Sequence, residues 1–153
     1  MIFPRDSMLF GKKIWYEPAR IIDWHLDAKS TSQQVLDIYS ITHISHGIIF
    51  FLISRLIGIN VKNSIYVSLI LEILYEIAFN SRVLIKIYIN NWPNYLGDSL
   101  VNSTADIILT LLGVFIAMKN PVVGVLYVII SESILYKYSA GLFTHLQQFI
   151  ERV

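Results

Sequence analysis

Four stretches of the chain are apolar over most of their length, and short polar segments separate them. They cover about residues 39–59, 65–84, 100–118 and 122–142. A helix needs about 20 apolar residues to cross the hydrocarbon core of a bilayer, and each stretch is close to that length. The pattern therefore predicts an all-α membrane protein, with a bundle of about four transmembrane helices within residues 38–153.

The first 37 residues differ from the rest because basic and aromatic side chains are mixed along them. Trp15, Tyr16 and Trp24 lie among several lysines and arginines. Aromatic rings favour the depth of the lipid headgroups, where basic residues contact phosphates. We therefore expect residues 1–37 to form an interfacial N-terminal segment. The sequence Ser-Thr-Ser-Gln from Ser30 fits a capping box, which predicts that a helix begins near Ser30.

The composition supports a membrane protein and excludes some other classes. Hydrophobic residues make up 55% of the chain and charged residues 15%, whereas a soluble domain has about 25% charged residues. The net charge of +1 gives nucleic-acid binding no electrostatic support, so we expect no nucleic-acid partner. The absence of cysteine excludes thiolate metal ligands and cysteine nucleophiles.

The distribution of lysine and arginine predicts the orientation of the four helices. With four spans, nine of these residues lie on the side of the termini and three on the opposite side. Because positive loops stay on the inner side, both termini are expected to face the cytoplasm or a mitochondrial matrix. The excess of Ile, Asn, Lys, Tyr and Phe is typical of AT-rich genes. The bacterial inner membrane and the mitochondrial inner membrane are therefore both open as locations.

Polar and ionisable residues recur at helical spacing in three of the four apolar stretches. An ionised side chain at the centre of a spanning helix costs about 2.5–3.5 kcal/mol on insertion scales, so such residues need water or a partner. Residues three or four apart share a helix face, so each set forms one polar row. Economical packing turns the three rows inward into one buried cluster. The rows are Tyr39, His43 and His46, then Glu72, Glu76 and Asn80, then Asp98, Asn102 and Asp106.

Three kinds of chemistry suit such a cluster. Histidines with carboxylates could bind one or two divalent metal ions, although the Glu-x-x-His spacing of dimetal bundles is absent. A histidine beside a carboxylate could act as a general acid–base pair, and a chain of such groups could relay protons. The candidate metal ligands are His43, His46, Glu72, Glu76, Asp98 and Asp106, and the candidate catalytic residues are Glu72, Glu76, His43 and His46.

Structural roles compete with these chemical ones. Both histidines could simply form hydrogen bonds to neighbouring helices, and Asp98 follows Gly97 at a position where a carboxylate caps a helix. Glu72 and Glu76 favour a partnered site, because two ionised carboxylates one turn apart repel each other. One of them should be protonated or bound to a cation unless water reaches them. The polar residues expected to be structural are Tyr39, Asn80 and Asn102.

Three segments of the chain resemble an uncharacterised family of alphaproteobacterial multi-spanning inner-membrane proteins. They are SQQVLDIYSITHISHGIIFF (32–51), LEILYEIAFNS (71–81) and YLGDSLVNSTADIILTLLG (95–113). The likeness covers roughly residues 9–113, and the layout is more distantly similar to VanZ-like membrane proteins. The resemblance implies a multi-spanning membrane fold, and it implies no particular reaction.

The chain departs from this family in ways that bear on function. We expect it to lack the family's extra N-terminal spanning helix. Phe79 stands where the family tends to have an acid, and Lys86 and Ile87 replace what looks like an acid–base pair. We therefore expect a non-catalytic subunit of a larger membrane assembly, for example of a respiratory chain, in contact with membrane lipids and other membrane subunits. The alternative is a small membrane enzyme that uses a metal or acid–base site on a lipid-linked or phosphate-bearing substrate.

Overall fold

The computed structural model describes residues 8–9, 12–13, 21–24, 31–81, 83–85 and 97–137. Two pairs of very short strands and four helices of 16 residues or more are present in these ranges, and residues 83–85 are also helical. Strands β1 (Met8–Leu9) and β2 (Lys12–Lys13) pair antiparallel, and β3 (Ile22–Asp23) and β4 (Leu36–Asp37) pair parallel. The helices are α1 (Ser40–Leu56), α2 (Val61–Phe79), α3 (Leu100–Lys119) and α4 (Pro121–Tyr136). The predicted all-α class is confirmed.

Helix α3 is the one helix among the described residues that is long and apolar enough to cross a membrane. It has 20 residues. Helices α1 and α4 are also apolar, but they have 17 and 16 residues. The structure thus supports one possible spanning helix in the part of the chain that it describes. The arrangement with four spans and the orientation of the termini stay predictions.

The start of α4 follows directly from its sequence. Asn120 has an extended backbone, and its side-chain Oδ1 accepts the N–H groups of Val122 and Val123 at 3.1 and 3.2 Å. Pro121 occupies the first helical turn, where its missing N–H costs nothing. The helix therefore begins at Pro121, close to the predicted start of the fourth apolar stretch near residue 122, whereas the predicted end near Leu142 lies outside the described residues.

The predicted helix start near Ser30 is wrong, because α1 begins at Ser40. Ser32 has a φ of 58°, which does not fit a right-handed helix. The Asp37 side chain accepts the Ser32 N–H at 2.8 Å, and residues 36–37 pair with β3. These side-chain and strand contacts satisfy the backbone groups that a helix would otherwise use.

The described chain divides into two compact units. The first unit contains residues 1–38 and 73–106, and the second contains residues 39–72 and 107–153. The first unit includes both strand pairs. In the second unit α1 is central, because residues of α2, α3 and α4 that belong to this unit all contact it.

Small residues set the packing of α1 against α3 in the second unit. A Cβ atom added at Gly47 would collide with the backbone of Thr110, and one added at Gly113 would collide with the carbonyl of Ile44. Such close backbone approach is common between membrane helices, where lipid tails supply no hydrophobic force for association. An apolar cluster extends from this contact and consists of Ile48, Phe51, Val114 and Ala117.

Beside its apolar cluster, the interior of the second unit contains many polar side chains, and its surface carries large apolar ones. Leu56 is 85% exposed, for example, whereas Thr110 is fully buried. Other buried polar residues of this unit are Ser45, Ser54, Ser64, Ser68 and Ser131, and other exposed apolar residues are Ile53, Ile57, Ile70, Ile108, Phe115, Leu126, Ile129, Ile130 and Ile134.

Candidate functional site

A carboxylate held between two imidazoles lies in the interior of the second unit. Glu72 Oε1 lies 2.5 Å from His43 Nδ1, and Glu72 Oε2 lies 3.0 Å from His46 Nδ1. The exposed fractions of Glu72, His43 and His46 are 0%, 6% and 2%. The two histidines are three residues apart on α1, so their spacing directs both toward α2. We refer to His43, His46 and Glu72 as the His–Glu–His cluster.

The pairing of these atoms determines what the imidazoles can do. When both histidines are neutral, each Nδ1–H donates to one oxygen of Glu72, and Nε2 is then the basic nitrogen of each ring. A carboxylate that fixes the tautomer and orientation of a histidine recurs in catalytic triads and in metal sites. The cluster therefore has the parts of an acid–base centre.

Neighbouring groups hold the two imidazole-bearing residues in place. Thr110 Oγ1 on α3 donates to the backbone carbonyl of His43 at 3.0 Å. The His43 and His46 rings pack edge to face, with their centroids 5.1 Å apart, and the His46 ring stacks on Phe50 with a centroid distance of 5.5 Å. Thr110 was not among the predicted site residues, although a threonine inside an apolar helix is a signal for an interhelical hydrogen bond.

Helix α4 adds a further polar contact in the same unit. The hydroxyls of Ser45 and Ser131 lie 3.1 Å apart, and the Tyr127 hydroxyl donates to the carbonyl of Ile41 at 3.3 Å. Glu132, beside Ser131, is buried as well. None of the three residues Ser45, Ser131 and Glu132 was among the members of the predicted polar rows.

The first unit holds a second polar group, where α2 ends. The Asp98 N–H donates to Asn80 Oδ1 at 2.7 Å, and Asn80 Nδ2 donates to Asp98 Oδ2 at 2.5 Å. Asn80 Nδ2 also donates to the carbonyl of Glu76 at 2.9 Å. These bonds explain why α2 ends at Phe79 and not at the predicted Leu84.

Ser99, and not Asp98, supplies the side-chain cap of α3. The Asn102 N–H donates to Ser99 Oγ at 3.1 Å, as expected for an N-cap. The Ser99 N–H donates to the carbonyl of Ser32 at 2.9 Å, and its hydroxyl donates to the carbonyl of Gln33 at 3.0 Å. The Gln33 side-chain amide donates in turn to the carbonyl of Gly97. Residues 32–33 are therefore joined to the start of α3 mainly through backbone groups.

The remaining predicted site residues fall into one unit or the other. Glu76, Asn102 and Asp106 are buried in the first unit. Asn102 Nδ2 has no hydrogen-bond partner among the described residues. Tyr39, in the second unit, precedes α1 and its carbonyl accepts the N–H of Thr42 at 2.8 Å. The convergence of all three rows in one pocket stays a prediction, because the rows are divided between the two units.

The His–Glu–His cluster has a donor set that suits a metal ion. One nitrogen or oxygen atom from each of His43, His46 and Glu72 lies within 4.8 Å of the other two. Three protein ligands from this set of residue types are usual in catalytic zinc sites. Three of the predicted metal ligands, from the first and second polar rows, therefore lie close together within the second unit.

These features describe an all-α protein with one possible membrane-spanning helix and a buried His–Glu–His cluster. The chain belongs to the DUF2585 family of proteins of unknown function, which it matches over residues 8–141. This confirms the predicted resemblance to an uncharacterised alphaproteobacterial family. The further likeness to VanZ-like proteins is not shown and stays a prediction.

Several proteins of alphaproteobacteria are similar to this chain. A UPF0314 protein of Brucella anthropi is 34% identical over 94 residues, which cover 59% of this chain and 48% of that protein. A UPF0314 protein of Paracoccus denitrificans is 30% identical over 105 residues, which cover 65% of this chain and 54% of that protein. The chain spans about half the length of the curated relatives it matches. No solved structure matches it.

Proposed function

We propose that this chain is a small integral membrane enzyme, with the His–Glu–His cluster as its acid–base centre and a lipid-linked molecule as its substrate. The observation that carries the proposal is the burial of His43, His46 and Glu72 in mutual hydrogen-bond contact within one helical unit. Ionisable residues inside membrane helices are costly, and they usually mark a substrate, ion or proton site.

The reversed polarity of the second unit supports a membrane location. Its exposed helix faces carry leucine, isoleucine and phenylalanine, and its interior carries hydroxyl, imidazole and carboxyl groups. In water such a surface would favour aggregation, whereas lipid tails solvate it. At a rise of 1.5 Å per residue, α1 and α4 are about 24–26 Å long, close to the thickness of a thin bilayer of about 27 Å. We therefore propose that α1 to α4 are the four spanning helices.

Helix packing alone does not require the cluster. The glycine contact between α1 and α3 and the apolar cluster around Ile48 already hold the second unit together. A buried ionic group can often be replaced by apolar residues at no cost in stability. A chain that nevertheless has three such groups in contact gains something other than stability from them, and chemistry at the imidazoles is the simplest gain.

The surroundings of the cluster favour a lipid-linked substrate. The basic residues described in the second unit are all exposed, and none of them contacts the cluster. Recognition of a phosphate group usually depends on arginine, lysine or a helix N-terminus. The apolar outer surface would instead contact the bilayer, in which a lipid-linked substrate dissolves. The phosphate-bearing alternative therefore has less support than the lipid-linked one.

The second candidate is a non-catalytic subunit of a larger membrane assembly. It is favoured by one specific feature, because both oxygens of Glu72 contact an imidazole and so cross-link α1 to α2. In this role the apolar surface would contact membrane lipids and other membrane subunits. The similar proteins are bacterial, so the bacterial inner membrane is the location we propose. A mitochondrial respiratory assembly has no observation in its favour.

The enzyme and the subunit hypotheses predict different compounds in lipid extracts and different purified complexes. The first experiment removes the UPF0314 gene of Paracoccus denitrificans, expresses this chain in its place, and compares lipid extracts for wild type, Glu72→Gln and Ser68→Ala. An enzyme should leave the same unprocessed lipid-soluble compound in the deletion strain and in Glu72→Gln. Ser68→Ala is the matched control, because this buried serine on α2 donates to the carbonyl of Ser64 at 2.8 Å.

The second experiment measures the native mass of the tagged chain after gentle detergent extraction. The enzyme hypothesis predicts the chain alone or as copies of itself. A fixed set of other proteins at constant stoichiometry, with identical lipid extracts for wild type and Glu72→Gln, would reject the enzyme and support the subunit.

A further inference from the structure

We propose that the His–Glu–His cluster is a binding site for a divalent transition metal ion, with zinc as the preferred ion. The ligands would be Nδ1 of His43, Nδ1 of His46 and the carboxylate of Glu72. The inference deepens the proposed function and rests on it in one respect, since the metal would belong to the same centre. Metal binding can nevertheless be measured without any knowledge of the substrate.

The spacing of the ligand atoms is close to what a zinc ion requires. Zinc–nitrogen and zinc–oxygen bonds are about 2.0–2.2 Å long, so the ligand atoms of a tetrahedral site lie about 3.4 Å apart. The two nitrogen–oxygen distances in the cluster are 2.5 and 3.0 Å. These two distances involve different oxygens of Glu72, and one donor atom from each of the three residues lies within 4.8 Å of the other two. Rotation of the side chains must therefore change these separations by up to about 1.4 Å to reach the spacing of a tetrahedral site.

The protons of the cluster are conserved when a divalent ion binds, and the site then carries a net charge of +1. Each neutral imidazole would bind the metal through the Nδ1 lone pair, with its ring proton on Nε2. The ionised carboxylate of Glu72 supplies one negative charge. The ion thus replaces two hydrogen bonds with three stronger bonds, and it leaves the pair of imidazoles neutral.

The types of ligand select among metals. Two imidazole nitrogens and a carboxylate oxygen suit zinc, iron and manganese, whereas copper(I) prefers thiolates and thioethers. Among zinc, iron(II) and manganese(II), the usual order of affinities favours zinc. Catalytic zinc sites have three protein ligands and leave the fourth position to water or substrate. The number of ligands here matches a catalytic site better than a structural site, which has four.

The residues around the site are consistent with a rigid donor set. Phe50 stacks on His46, and Thr110 holds the backbone at His43. A metal site depends on such supporting contacts because they keep the ligands aligned before the ion binds. Both ligating histidines come from one helix and the carboxylate from another, so the ion would also join α1 to α2.

The test uses the full chain, purified in detergent and stripped of metal with a chelator. Zn²⁺ is titrated by calorimetry, and Co²⁺ is titrated by visible absorption, which reports the coordination geometry. We expect a single ion per chain and the absorption of four- or five-coordinate Co²⁺. Loss of an outer-shell partner lowers metal affinity about 10–100-fold. Glu72→Gln and His46→Gln should each lower the zinc affinity by more than that, while Ser68→Ala should leave it unchanged.

The outcomes are distinct from those that test the enzyme hypothesis. No binding by the wild-type chain, or equal affinity in wild type and in both cluster variants, would overturn the metal site. The Co²⁺ spectrum of the wild-type chain does not depend on whether a variant folds. A bound metal with unchanged lipid extracts would retain the metal site and reject the enzyme. If a compound accumulates in Glu72→Gln and the wild-type chain binds no metal, the enzyme hypothesis is retained and the metal site is rejected.

Discussion

The two units of this protein both bury polar side chains, but they use them differently. In the first unit, the side chains of Gln33, Asn80 and Ser99 form hydrogen bonds largely with backbone groups of turns and helix ends. In the second unit, the main polar contact joins side chains of two regular helices, within the His–Glu–His cluster. Burial of polar groups by itself therefore does not identify a functional site.

The difference follows from where backbone hydrogen bonds are satisfied. A helix satisfies its own backbone groups, so polar side chains in its middle are not needed for that purpose. Turns and helix ends leave backbone N–H and C=O groups that need other partners when they are buried. The side chains of Gln33, Asn80 and Ser99 in the first unit meet this need. The imidazole and carboxyl groups of the His–Glu–His cluster are not needed for this purpose, which is why we assign function to the second unit.

The largest expected effect concerns Glu72. Glu72→Ala should lower the free energy of unfolding by about 3–5 kcal/mol, because it leaves two buried imidazole donors without an acceptor and opens a cavity. Replacing all three members together, His43→Leu, His46→Leu and Glu72→Leu, should cost nothing or add about 1–4 kcal/mol. Thermal and denaturant unfolding in detergent would measure both.

The triple replacement separates function from structure in the second unit. If it folds as stably as the wild type and has lost metal binding, the cluster is functional and dispensable for the fold. If it is as unstable as Glu72→Ala, then the cluster is a structural contact like those in the first unit.

The next effect concerns the glycine contact of the second unit. Gly47→Ala should lower stability by about 3 kcal/mol, because the new methyl group meets the backbone of Thr110, which cannot move without separating the helices. Gly58→Ala is the control. Gly58 has open space around it and a φ of +88°, so alanine there costs only about 1 kcal/mol of backbone strain. Equal losses at the two positions would show that α1 and α3 are not in this close contact.

Sequence patterns located the second unit better than the first. Apolar stretches and the histidine spacing predicted α1 and the pair His43 and His46, because helical periodicity directly encodes which residues share a face. They also predicted Glu72 as a partner. They did not predict Gly47 opposite Thr110, since contacts between distant segments depend on helix packing that no local pattern contains.

The first unit was harder to predict because its structure depends on contacts between residues far apart in the sequence. Ser30 to Gln33 matched a capping box, yet the local chain forms a turn that Asp37 stabilises. Asp98 matched an N-cap, yet Asn80 engages it and Ser99 caps the helix instead. In each case a partner outside the local pattern determines the conformation.

A third prediction tests the structural role of the first unit. Asn80→Leu should cost about 2 kcal/mol, because Asp98 loses both an acceptor for its N–H and a donor to its carboxylate. The double variant Asn80→Leu with Asp98→Leu should remain destabilised by about 1–2 kcal/mol, since the backbone N–H at position 98 still lacks its acceptor. Unfolding in detergent measures both, and zinc affinity should not change in either variant. Full recovery of stability in the double variant would show that apolar residues can replace this pair as well as the His–Glu–His cluster. The proposed difference between the two units would then be wrong.

The smallest expected effect tests whether the cluster depends on its support from α3. Thr110→Val removes the hydroxyl that donates to the carbonyl of His43 and keeps the shape of the side chain. Hydrogen bonds between membrane helices average about 0.6 kcal/mol, so stability should fall by about that amount. Zinc affinity should fall as well, because the backbone that positions one ligand is less constrained. Ser64→Ala is the control, since the Ser64 hydroxyl donates to the carbonyl of Asn60 at 3.0 Å, away from the cluster. A loss of stability in Thr110→Val with unchanged zinc affinity would assign Thr110 to helix packing alone.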